Sequence, residues 1–134
     1  MEFQIKIIGV ILIILGCIHV IFPKYFDWKS DLVQLQLINQ SLLKVHTFFI
    51  ALTVFLMGLL CLTSAKDLLQ TQLGNRICFG FGFFWLVRLF FQFFVYPSAL
   101  WRGKKLETTI HIFASFFWTY LAVTFLNAYF TANH

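Results

Sequence analysis

The stretch ICFGFGFFWLVRLFFQFFVY, residues 77–96, decides the fold. It holds one charge, Arg88, and one amide, Gln92; every other residue is apolar, aromatic or glycine. At a rise of about 1.5 Å per residue, some 20 helical residues cross the roughly 30 Å of bilayer hydrocarbon. In lipid only helices and closed barrels satisfy their own backbone groups. Barrel strands alternate apolar and polar residues, and this stretch does not. It reads as a transmembrane helix.

Three further runs of the same kind lie outside it, over residues 3–22, 43–63 and 109–130. The expected fold is therefore all-α: an integral membrane four-helix transmembrane bundle, with residues 1–134 forming a single domain. Composition agrees. Sixty per cent of the residues are hydrophobic and 11% charged, against about 25% charge in soluble domains. The chain lacks the residues to coat a water-facing surface, so the expected solvent is the lipid bilayer. The net charge of +5 does not point to nucleic acid, because the basic residues flank apolar runs, where anionic headgroups lie. Cys17, Cys61 and Cys78 are dispersed and odd in number, which argues against a disulfide framework. Residues 3–22 are followed by Pro23-Lys24-Tyr25 rather than a small-residue cleavage site. The run is read as a mature span and not as a signal peptide.

The span ends carry punctuation. Pro23 is expected to stop the first span and Pro97 the third. Gly74-Asn75 is expected to break the chain before the third, and Arg102-Gly103-Lys104-Lys105 before the fourth. Tyr25, Trp28, Tyr96 and Trp101 mark an aromatic belt at one set of ends. Between the first two spans, Leu32, Leu35, Ile38 and Leu42 repeat at helical spacing after Ser30-Asp31, a possible N-cap. Two readings stay open there: a short interfacial helix, or a second span that simply starts earlier.

Lys and Arg set the orientation. The N-terminal side carries Lys6, Lys66 and Arg76. The opposite side carries Lys24, Lys29, Lys44, Arg102, Lys104 and Lys105. The richer side is expected in the cytoplasm of an inner or plasma membrane, with both termini on the non-cytoplasmic side.

Polar residues gather near that richer side. His19, His46 and His111 each lie two or three residues inside a span end, and Gln92 sits at a matching depth. Arg88 is one turn deeper, on the same helix face as Gln92. A charge so placed costs about 2.5–3.5 kcal/mol on insertion scales, and such residues normally face the protein interior with partners. All five acids, Glu2, Asp27, Asp31, Asp67 and Glu107, lie at span ends or in loops. Arg88 must be met by neutral acceptors, water or an anionic ligand. His111, Ser115, Thr119 and Ala122 continue a small, polar stripe down the fourth span. Gly9 and Gly16 form a small face on the first, a common packing device.

Several chemistries fit this layer. His19, His46 and His111 can ligate Zn, Fe or Cu, with Gln92 or water completing the shell and Glu107 orienting His111. No HxxxH or HxH spacing supports that set. Two of the histidines can instead hold haem, with Arg88 at a propionate. Without a metal, Arg88, Gln92 and Ser115 can bind a carboxylate, phosphate headgroup or quinone oxygen. The competing class is non-enzymatic: an oligomeric channel or transporter, or a partner subunit of a membrane complex, in which the polar layer fixes helix packing. No phosphate-binding glycine loop, G-x-S-x-G motif or Cys/His pair with an orienting Asp is present.

Overall fold

The structure, a computed structural model, describes residues 1–25, 32–94, 103 and 105–131. The fold is all-α, and among the described residues there is no strand. The elements are α1 (Glu2–Tyr25), a 3-10 turn (Leu32–Gln34), α2 (Leu37–Thr63), a short α3 (Ala65–Gln70), α4 (Gln72–Phe94) and α5 (Lys105–Thr131). Four of them, α1, α2, α4 and α5, are long and apolar enough to cross a membrane. The chain divides into two compact units, Phe3–Ala65 and Lys66–His134, the latter with Met1–Glu2.

The first unit is the hairpin of α1 and α2. Its seam is made by small residues repeating every seven positions. Gly9 faces Gly58, and Gly16 faces Ala51 and Phe55, so the helices run antiparallel. A Cβ on Gly9 would stand 2.7 Å from the Gly58 carbonyl oxygen, and one on Gly58 would stand 2.6 Å from that of Gly9. Both glycines are needed for this backbone-to-backbone approach. Ile5, Ile8, Leu12, Val54 and Cys61 are buried along with it.

The second unit pairs α4 with α5. Here rings do the packing: Phe79 meets Tyr129, Phe81 meets Phe125 edge-on, and Trp85 stacks on Trp118. Gly82 faces Leu126.

Several expectations about helix ends are corrected. The first helix does not stop at Pro23 but runs two residues further, to Tyr25. Proline lacks one N–H, and so close to a helix end that loss removes a single backbone bond. Gly74-Asn75 does not break the chain either, because α4 begins at Gln72. The bend falls between α3 and α4, where Thr71 donates its hydroxyl to the Asp67 carbonyl (2.7 Å) and accepts from Gly74 N–H (2.9 Å). Gly74 is there because a Cβ would run into the Asp67–Leu68 backbone. Between the first two spans, the second span starts early, at Leu37. The Gln40 side chain donates to the Leu35 carbonyl (2.8 Å) in front of its first turn. Gly103 has φ of +77°, a turn conformation suited to glycine. Ser30, Asp31, Trp28, Tyr96, Pro97 and Trp101 lie outside the described residues.

Candidate functional site

The second hairpin carries a connected polar chain along its seam, with Gln92 and Ser115 buried and Arg88 and His111 half-buried. Arg88 and Gln92 are one turn apart on α4, as their spacing requires. The Arg88 guanidinium donates from Nη1 to the Gln92 side-chain oxygen at 3.3 Å. The Gln92 amide nitrogen lies 2.7 Å from Nδ1 of His111 on α5. A guanidinium has only donors, so the amide oxygen must be the atom facing Arg88. The amide N–H then donates to His111, and Nδ1 is the acceptor. In neutral His111 the ring proton is consequently on Nε2. Gln92 itself is only 6% exposed.

The chain continues down α5 through hydroxyls. Ser115 donates to the His111 carbonyl and Thr119 to the Ser115 carbonyl, both at 2.8 Å. These bonds use the hydroxyl hydrogens within the helix and leave the oxygens as acceptors. Beside them runs a groove of about 280 Å³, lined by His111, Ser115, Thr119, Phe93, Ile112 and Phe116. Phe93 also sets its ring edge-on to His111, with centroids 6.0 Å apart.

Arg88 has a second contact. Its guanidinium carbon stands 5.0 Å from the centre of the Trp118 ring, within the range of a cation–π interaction. Trp118 in turn stacks on Trp85, with centroids 5.0 Å apart and planes 7° from parallel. Seven residues separate Trp85 from Gln92, and seven separate His111 from Trp118, so both cross-helix pairs share one register. The two tryptophans were not expected from sequence. The i, i+3 spacing of Trp85 and Arg88 was legible, but it gains meaning only when the helix register is known.

The histidines behave differently. His19 is half-buried, and its Nδ1–H donates to the Leu15 carbonyl on its own helix at 2.8 Å. His46 is exposed. Among the described residues no group of three or more His, Cys, Asp or Glu side chains is placed to hold a metal ion. Glu107 lies in the first turn of α5, and its side chain is outside the described residues. The structure thus brings together Arg88, Gln92, His111 and Ser115, all on one hairpin. No family model matches the chain, and no curated protein or solved structure matches it.

Proposed function

We propose that this four-span membrane protein binds a lipid-soluble ligand with an anionic or oxygen-bearing head. The site would be Arg88, Gln92, His111 and Ser115 in the second hairpin. The observation that carries this reading is the chain from Arg88 through Gln92 to His111, with the groove beside it. A charged side chain inside a span is costly and is normally retained for what it binds or moves. The groove supplies apolar walls from Phe93, Ile112 and Phe116 and a short polar edge, a lining typical of small-molecule sites. The excess of Lys and Arg on the side of the α1 and α4 C-termini supports placing that side, and the site near it, in the cytoplasm.

A second reading is a non-enzymatic subunit of a membrane complex, in which the same chain only clasps α4 to α5. It is favoured by Ser115 and Thr119, whose hydroxyl hydrogens return to their own helix.

Arg88→Leu separates the two. On the ligand reading the variant folds at least as well as the parent, since the insertion cost of Arg88 is removed. It loses the thermal stabilisation given by lipid-soluble carboxylates, phosphates or quinones, which is about 2.7 kcal/mol when ligand stands at a hundredfold its Kd. Melting curves of the detergent-purified protein with that panel provide the measurement. A Leu variant that fails to fold, from a parent that no member of the panel stabilises, favours the clasp.

A further inference from the structure

The groove beside the second seam has a one-sided polar edge. Ser115 is only 9% exposed and lines the groove together with Thr119, one turn further along α5. A hydroxyl carries one hydrogen and two lone pairs. The hydrogen of Ser115 goes to the His111 carbonyl and that of Thr119 to the Ser115 carbonyl. Neither hydroxyl has a hydrogen left for a guest, and among the described residues no group donates to either oxygen. His111 lines the groove as well, with its Nδ1 already taken by the Gln92 amide. In hydrocarbon no water supplies the missing donors. Arg88 does not line the groove and is linked to it through Gln92 and His111. At Ser115 and Thr119 the groove therefore offers acceptors, between apolar walls of Phe93, Ile112 and Phe116. Its volume of about 280 Å³ lies at the lower end of small-molecule sites, roughly 300–1,000 Å³. That is room for a head and the start of a chain, with the rest in lipid.

We infer that the head of the ligand is a neutral hydroxyl that donates its hydrogen to the Ser115 oxygen, with the Thr119 oxygen as a second acceptor one turn deeper. This inference rests on the ligand-binding reading above and narrows it to lipid-soluble alcohols, phenols and quinols. Ionised carboxylates and quinone carbonyls only accept. They would set lone pairs against lone pairs at Ser115 and Thr119.

The test uses the full chain in nanodiscs and three probes on one long alkyl chain: the primary alcohol, its methyl ether and the carboxylate. The ether keeps the oxygen and loses the hydrogen. Binding is followed by calorimetry, with empty nanodiscs as the baseline for partition into lipid. The parent is expected to bind the alcohol about fivefold more tightly than the ether, the worth of one hydrogen bond. Ser115→Ala is expected to weaken alcohol binding about fivefold and to leave ether binding unchanged. Adding Thr119→Val is expected to bring the alcohol down to the level of the ether. The bonds these changes remove lie within α5, so the pairing of α4 with α5 does not depend on them. Should the alanine variant fold poorly, Ser115→Cys keeps the size with a weaker acceptor. Equal binding of alcohol and ether by the parent overturns the inference, and so does alcohol binding untouched in the double variant. In either case, a carboxylate that binds the parent but not Arg88→Leu leaves the ligand-binding reading standing. If none of the three probes binds the parent above the empty-nanodisc baseline, that reading falls as well.

Discussion

The two hairpins use the same geometry and fill it with opposite chemistry. In each, cross-helix contacts recur every seven residues, the spacing that keeps two antiparallel helices together over several turns. The first hairpin fills those positions with Gly9, Gly16, Ala51 and Gly58, so that backbone meets backbone. The second fills them with Trp85 against Trp118 and Gln92 against His111. Grooves beside the seams differ accordingly. The first, of about 150 Å³ at Gly16, Ala51 and Phe55, has no polar lining side chain other than the thiol of Cys17. The second has His111, Ser115 and Thr119. Lipid tails are as apolar as leucine, so burial of apolar surface does not drive helices together in a membrane. Close packing and hydrogen bonds must do it. The first hairpin has backbone-tight packing at Gly9 and Gly58. The second includes hydrogen bonds, and a polar seam is also what a ligand can use.

The sharpest way to break this contrast is Gly58→Ala. Alanine is the better helix former by about 0.5–1 kcal/mol, so propensity alone predicts stabilisation. Its Cβ, however, would stand 2.6 Å from the Gly9 carbonyl oxygen and 2.7 Å from the Ile13 nitrogen. Neither is a flexible side-chain end, so the helices must separate. The expected outcome is a net loss of about 2 kcal/mol, within the range of overpacked cores, read as a fall in the unfolding midpoint in detergent. An unchanged midpoint means that the first seam is not backbone-tight.

Gln92→Leu tests the other seam, with a smaller expected effect. It deletes both the Arg88 and the His111 bonds in one step. Interhelical hydrogen bonds in membranes average about 0.6 kcal/mol and reach about 1.7, and the leucine recovers some packing. A loss of about 1 kcal/mol is expected, together with a smaller thermal stabilisation by the ligand panel than the parent shows. A loss as large as that of Gly58→Ala would make the polar chain the main clasp of the hairpin rather than a site.

How much of this was legible in the sequence follows from which periodicities act within one helix. Four spans follow from run length alone, and Arg88 with Gln92 from a spacing of four. The stripe of His111, Ser115 and Thr119 is also intrahelical and was readable, and so was the small face of Gly9 and Gly16. Partners across helices were not. Trp118 lies opposite Trp85 only in the register that α4 and α5 adopt against each other, and no spacing within either span fixes that register. The same limit applies to the histidines. Shared depth near one end of the spans suggested convergence, but depth leaves the rotation of each helix open. His46 is exposed, and the Nδ1–H of His19 is used on its own helix. Helix ends were misread where glycine and proline were taken as breakers. Gly74 permits a close approach to α3, and Pro23 is accommodated in a last turn.

The smallest expected effect comes from the same substitution at a third glycine, and its sign is the point. Gly80 lies on α4, two residues before Gly82, in the same aromatic run. A Cβ built at Gly82 would stand 2.7 Å from the Leu126 side chain, whereas one at Gly80 meets nothing within 4 Å. Gly80→Ala therefore retains the propensity gain with no steric cost to offset it. A stabilisation of about 0.5 kcal/mol is expected, visible as a slight rise in the unfolding midpoint. Opposite signs for alanine at Gly58 and Gly80 would show that glycine in these helices is required only where another backbone lies against it. If Gly80→Ala instead destabilises the protein, Gly80 is covered by a surface outside its own hairpin. A second copy of the chain then becomes the first candidate, to be checked by the oligomeric state of parent and variant in detergent.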